Sequence, residues 1–92
     1  MLWFLKIIIT TENIGKIISA ALRKGAKIYV GKTHADCLKQ ESMGTLRNAE
    51  QGFVTETYEF VDRKQALKIA EHYNQIKHKH FPKDELMSED II

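Results

Sequence analysis

Residues 16–32 read KIISAALRKGAKIYVGK, and two folds compete for them. Ile14, Ile17, Ile18, Ala21 and Leu22 recur at helical spacing, and Lys24-Gly25 makes a good helix end. In the competing reading, residues 17–23 form a strand that turns at Lys24-Gly25 into a second strand over 26–31. KIYVG suits a strand in both readings, because β-branched and aromatic side chains fit a pleated surface. Periodicity alone slightly favours the helix.

Working outward, residues 2–10 are β-branched and aromatic and predict a strand buried on both faces, followed by a turn at TENIG. Their apolar run is only eight residues and is broken by Lys6, whereas a membrane-spanning helix needs about 20. A basic leader and a small-residue cleavage site are also missing, so a cytoplasmic protein is expected. Downstream, Thr33 can cap a helix beginning in THADCLKQES, with Asp36 favouring its positive end and Gly44 stopping it. TLRNAEQG then reads as a loop, and GFVTETYEF as one or two short strands.

VDRKQALKIAEHYNQI carries the clearest helix signal. Asp62 is its cap and Gln65 stands at the reciprocal position. Ala66, Leu67, Ala70 and Tyr73 are the predicted buried stripe, with Ile69 and Ile76 at its margin. Pro82 blocks continuation through KHKHFPK, and LMSEDII forms a short terminal segment. The fold class expected is α+β: residues 1–92 as a single domain, a small antiparallel sheet with two or three helices packed on it.

Ninety-two residues leave no room for separate cofactor and substrate domains. A chain this short buries roughly 60–65% of its unfolded surface, so association with copies of itself would help stabilise it. A single cysteine excludes an internal disulfide framework. Net charge is only +2, too little for general attraction to nucleic acid, but its distribution is uneven. Residues 1–32 hold six Lys and Arg against Glu12, whereas residues 83–92 hold four Asp and Glu against Lys83. A basic front and an acidic tail can attract each other within a subunit or between neighbours.

GKTHADC, residues 31–37, places a histidine, an aspartate and the only cysteine together. His34 and Cys37 have ligand spacing for a helix, but further zinc ligands would have to come from His72, His78 or His80. A Cys37 nucleophile with His34 as base is conceivable at a helix N-terminus, although a chain of this size offers little to bind substrate. The architectural reading, with Thr33 and Asp36 capping while Cys37 and Leu38 pack inward, is preferred to both. GKT at 31–33 misses P-loop spacing by one residue, the two histidines of HKH at 78–80 suit a solvated connection, and Glu89 and Asp90 point apart on an extended segment. No catalytic residue, metal or cofactor is therefore expected. What remains suits nucleotide binding. Lys32, Arg47 and Arg63 can neutralise phosphate, Asn74 and Gln75 can read base edges, and Trp3, Phe53, Tyr58, Phe60 and Tyr73 are possible stacking faces.

Taken in order, GKTHADC, QGFVTETYEFVDRKQALKIAEHYNQI and LMSEDII resemble small phage-encoded proteins. Their pattern runs G-[RK]-x-H-x-D-C, G-F-x-T, F-V-x-R-x-x-A and S-E-D-hydrophobic. In this, residues 26–92 are similar to the first family of Thoeris anti-defence proteins, phage sponges for the cyclic ADP-ribose-type signal of bacterial TIR enzymes. The resemblance implies an α+β protomer in a homo-oligomer built from dimers, acting in the cytoplasm of the infected host. It implies a ligand such as glycocyclic ADP-ribose, held at subunit boundaries and released uncleaved. Because the family pattern has a strand just before KIYVG, it tips residues 17–23 toward the hairpin. It carries over Gly31, Lys32, His34, Asp36, Gly52, Phe53, Phe60, Arg63, Gln75, Ser88, Glu89 and Asp90. Three departures stand out: Lys32 replaces a common arginine, Tyr73-Asn74 replace a frequent Ala-Gly, and TETYEF replaces a tight glycine turn.

The ligand-binding set expected is Lys32, His34, Arg63, Asn74, Gln75, Ser88, Glu89 and Asp90. In the nucleotide, cations would meet pyrophosphate while Glu89 or Asp90 accept from ribose hydroxyls or the adenine amine. Two other readings compete: an inhibitor that binds a host enzyme directly, and a small nucleic-acid-binding phage protein using the basic N-terminal third.

Overall fold

A computed structural model describes residues 15–41, 46 and 48–92. The expected strand over 2–10, most of the TENIG turn, Gly44 as a helix end, and Trp3 and Arg47 as ligand contacts lie outside these residues. Residues 16–32 form the hairpin. Strand β1 (Ile17–Lys24) turns into β2 (Lys27–Gly31), with Lys24 paired to Lys27 across a two-residue turn. Gly25 takes φ +60° and Ala26 does not have a positive φ, the pattern of a type II′ turn, whose twist matches that of the flanking strands.

The helical spacing in β1 has a physical explanation. Ala20 and Leu22 face the helices, yet Ala21, on the other face, is also fully buried. Burial of three successive residues, Ala20 to Leu22, breaks the in–out alternation at the centre of the strand, so its apolar residues imitate another period. Near its start, Ile18 is an extra residue in the pairing with the third strand and stands exposed.

After β2 come helix α1 (His34–Leu38), β3 (Glu50–Thr55), β4 (Phe60–Asp62), helix α2 (Arg63–His72) and a 3-10 turn at Ser88–Asp90. The four strands form one antiparallel sheet in the order β2-β1-β3-β4. Among the described residues the protein is thus α+β, with an antiparallel sheet and two helices, as expected. The Thr33 hydroxyl accepts from the backbone N–H of Asp36, and Cys37 packs into the core, whereas Leu38, expected to pack inward beside it, is exposed. The expectation that this helix would run on to Gly44 is revised, since it ends at Leu38 and Lys39 caps it.

The core lies between one sheet face and the helices. Leu22, Phe53 and Val61 from the strands meet Cys37, Ala66, Ile69 and Ala70 from α1 and α2, and Leu86 from the tail. The buried stripe of α2 is rotated from that predicted: Ile69 lies at its centre, while Leu67 and Tyr73 are half-buried. Gly52 is needed for the pairing of β3 with β4. A Cβ there would lie 2.3 Å from the Val61 carbonyl oxygen and 2.5 Å from the Phe60 ring. Among the described residues no helix is long and apolar enough to cross a membrane.

Candidate functional site

The start of α2 organises a concavity lined by charged and amide side chains. Asp62 ends β4 and caps the helix, its carboxylate accepting from the Gln65 N–H at 2.8 Å. Arg63 is therefore the first helical residue, where free backbone N–H groups favour negative charge. Its Nη2 donates to the Gln51 side chain, and Nη1 lies 3.9 Å from the Glu85 carboxylate. Its Nε is buried and has no hydrogen-bond partner among the described residues. The Arg63 carbonyl accepts from Leu86 N–H at 2.9 Å, which fastens the tail beside the guanidinium. A cleft of about 370 Å³ opens here, lined by Glu50, Gln51, Asp62, Arg63, Lys64 and Glu85.

His34 is tied to β3 at Gly52, the neighbour of the lining residue Gln51. Its Nε2–H donates to the Gly52 carbonyl at 2.8 Å, and its ring meets Phe53 edge-on at 5.0 Å. That bond makes Nδ1 the acceptor nitrogen of a neutral ring. Burial holds the imidazole below its ordinary pKa; the Gly52 carbonyl opposes this, Arg63 lowers it further and Glu89 raises it. The Ser88 hydroxyl, itself buried, accepts from the His34 backbone N–H at 3.4 Å. His34, Arg63, Ser88 and Glu89 thus form one neighbourhood, although they come from three separate parts of the sequence.

The remaining predicted residues are placed elsewhere. Lys32 is exposed in the bend before α1. Asn74 and Gln75 follow the other end of α2, about 15 Å along its axis from Arg63. Asn74 has φ +56°, its N–H donates to the Glu71 carbonyl, and Gln75 N–H donates to that of Ala70. This is a Schellman closure, so Asn74 occupies the left-handed position that glycine usually fills. The Gln75 amide accepts from Ile17 N–H at 2.9 Å and donates to the Ile17 carbonyl at 2.8 Å, binding the helix end to β1 beside its bulge.

Asp90 is fully buried. One carboxylate oxygen accepts from the His80 backbone N–H at 2.6 Å and from Nδ1 of the His80 ring at 2.7 Å. The other accepts from Met87 N–H at 2.8 Å, with the Lys79 ammonium at 3.2 Å. Burial alone would raise its pKa, but the Met87, His80 and Lys79 donors together hold it below the ordinary carboxylate value.

Of the candidate stacking faces, Phe53 is in the core, and Phe60 lies under the Arg23 guanidinium at 4.4 Å. Tyr58 is 82% exposed in the turn between β3 and β4. The Cys37 thiol is buried and directed at the Ala20 carbonyl, and burial pushes its pKa up, contrary to what a nucleophile needs. Among the described residues no three His, Cys, Asp or Glu side chains are grouped to hold a metal. Sequence reasoning missed Glu50, Gln51, Lys64 and Glu85 as lining residues. Glu50 and Gln51 fall in the stretch that reads as a loop, whereas β3 begins at Glu50 and carries both.

A family profile described as "Phage T4 y16D protein" matches residues 6–92, and the chain belongs to that family. No curated protein matches it, and no solved structure does.

Proposed function

For this member of the phage T4 y16D protein family, we propose a sponge that binds a cyclic ADP-ribose-type nucleotide such as glycocyclic ADP-ribose and holds it uncleaved. The observation that carries this reading is the Arg63 guanidinium, whose Nε is buried without a partner at the N-terminus of α2. An arginine held there by Gln51 and Glu85 is aimed before any guest arrives, and a phosphate can take a charge-assisted bond from it. Glu50, Asp62 and Glu85 line the same cleft and suit ribose hydroxyls or an exocyclic amine. A mixture of cations, carboxylates and an amide fits a nucleotide better than a plain anion.

At about 370 Å³ the cleft lies near the lower end of small-molecule sites, which usually enclose most of their ligand. A second copy of the chain supplies the missing wall in this reading. Ile28 and Val30, about half exposed on the sheet face away from the helices, provide apolar surface for assembly. A sponge needs nanomolar affinity, about −12 kcal/mol. Calorimetry with the purified nucleotide tests the reading. Strong saturable heat, weakened about 10- to 100-fold by Arg63→Ala, is expected. Absence of heat at micromolar concentrations contradicts it and favours an inhibitor that binds a host protein.

A further inference from the structure

Three carboxylates line the Arg63 cleft, and two of them are already engaged. Asp62 caps α2, accepting from Gln65 N–H. One oxygen of Glu50 accepts from Arg23 Nε at 3.1 Å and Nη2 at 2.7 Å, and the Arg23 guanidinium lies over the Phe60 ring. Glu85 lacks such an anchor. Among the described residues its ion pair is with Arg63, and 3.9 Å is too long for a hydrogen bond.

Backbone and side chain at Glu85 differ in freedom. Leu86 beside it is fully buried, and its N–H donates to the Arg63 carbonyl at 2.9 Å, so the chain is fixed next to the guanidinium. The Glu85 side chain is 32% exposed and can turn into water. Arg63 keeps an Nε–H that no described residue accepts. Glu85 therefore offsets the charge of Arg63 without occupying its donors. A guest phosphate can take those donors, but it must do so next to a carboxylate. The repulsion grows in proportion to the guest's own charge, since Coulomb energy is a product of charges.

We propose that Glu85 is a charge filter: it lets the cleft accept an internal, singly charged phosphate and turns away terminal phosphates. The inference rests on the nucleotide reading of this cleft and names what that site selects. A terminal phosphate monoester carries about −1.5 to −2 at pH 7, nearly double the charge of a phosphate esterified on both sides. Counting Arg23, which pairs Glu50 from outside, cations and carboxylates around the cleft are equal in number. No surplus of positive charge is left to draw in a strongly charged anion, so binding depends on directed bonds from Arg63. In a cyclic ADP-ribose-type guest both phosphates are internal, and they pass the filter.

Calorimetry with inorganic pyrophosphate, whose phosphates are both terminal, and with glycocyclic ADP-ribose tests the filter on wild type and Glu85→Gln. Glutamine keeps an acceptor oxygen and the side-chain shape, so only the charge is removed. The ion pair is partly exposed and adds little to stability, so the variant stays folded. Pyrophosphate should bind the variant about tenfold tighter than wild type. The cyclic nucleotide should gain only about threefold, because halving the guest's charge takes the square root of the factor. Glu71→Gln, an exposed change near the far end of α2, removes the same charge at a distance and should alter neither affinity. Unchanged or undetectable pyrophosphate binding by Glu85→Gln at millimolar concentration, equal factors for both guests, or the same gain in Glu71→Gln would overturn the filter. Failure of the cyclic nucleotide to bind either protein would instead overturn the sponge reading; a gain for pyrophosphate would still uphold the filter.

Discussion

Replacing Asp90 by asparagine should destabilise the protein severely, because its carboxylate is the tie on which the C-terminal third depends. Asparagine keeps one acceptor oxygen and turns the other position into a donor. If the amide nitrogen faces His80, it meets the backbone N–H and ring N–H that now lie 2.6 and 2.7 Å from Oδ1. If it faces the other way, it meets Met87 N–H, now at 2.8 Å, and the Lys79 ammonium. Two charge-assisted bonds are lost in either orientation, each worth about 1.5–3 kcal/mol. Lys79 and His80 are partly exposed and recover some hydration, which brings the net loss to about 3–4 kcal/mol. Small domains have only about 5–15 kcal/mol in total. With a urea slope of about 1 kcal/mol/M, the unfolding midpoint should fall by about 3 M. Circular dichroism at pH 7 measures it.

The pH dependence supplies an independent check. Asp90 titrates lower in the folded protein than in the unfolded chain, so the unfolded chain binds more protons between the two values. Its contribution is complete above about pH 4–5 and is lost as pH falls through the folded value. Asp90→Asn should remove that acid limb. A loss below about 1 kcal/mol at pH 7, with the acid limb intact, would refute the reasoning.

Gly52→Ala should cost about 3 kcal/mol or more, since the new methyl must displace the Val61 carbonyl and separate β4 from β3; a thermal melt reports it. Asn74→Gly should be neutral or slightly stabilising and leave nucleotide affinity unchanged, whereas Asn74→Ala should cost about 1 kcal/mol in urea unfolding. His34 titrates below its ordinary value, so wild-type stability should begin to fall as pH drops below about 6.5 and continue through the folded value. In His34→Gln that limb should be absent from a pH series of denaturation curves.

The legible parts of the fold were those with local causes. Asp62 and Gln65 mark the start of α2, and Thr33 marks that of α1, because a cap and its orphan N–H lie within three residues. The hairpin at 16–32 is less legible: Ala20, Ala21 and Leu22 are buried in succession, so β1 lacks the alternation that marks a strand, and its apolar spacing matches a helix as well. Asn74 and Gln75 looked like amides free to read a base. One instead closes a helix in the left-handed conformation, and the other bonds Ile17, 58 residues away. Asp90 stands in an acidic tail that suggests exposure, yet it is fully buried because His80 and Lys79 return to it. The cleft at Arg63 was half legible. The arginine could be placed at a helix start, but Glu85 reaches it only through the path of the tail.

The central claim, capture of a nucleotide without chemistry on it, is tested most directly by incubating the protein with the cyclic ADP-ribose-type signal, removing unbound ligand and heat-denaturing the complex. Mass spectrometry of the supernatant should then show the starting nucleotide, unaltered, in fixed proportion to protein. Recovery of a linear or otherwise cleaved product, or of no nucleotide at all, would contradict the account.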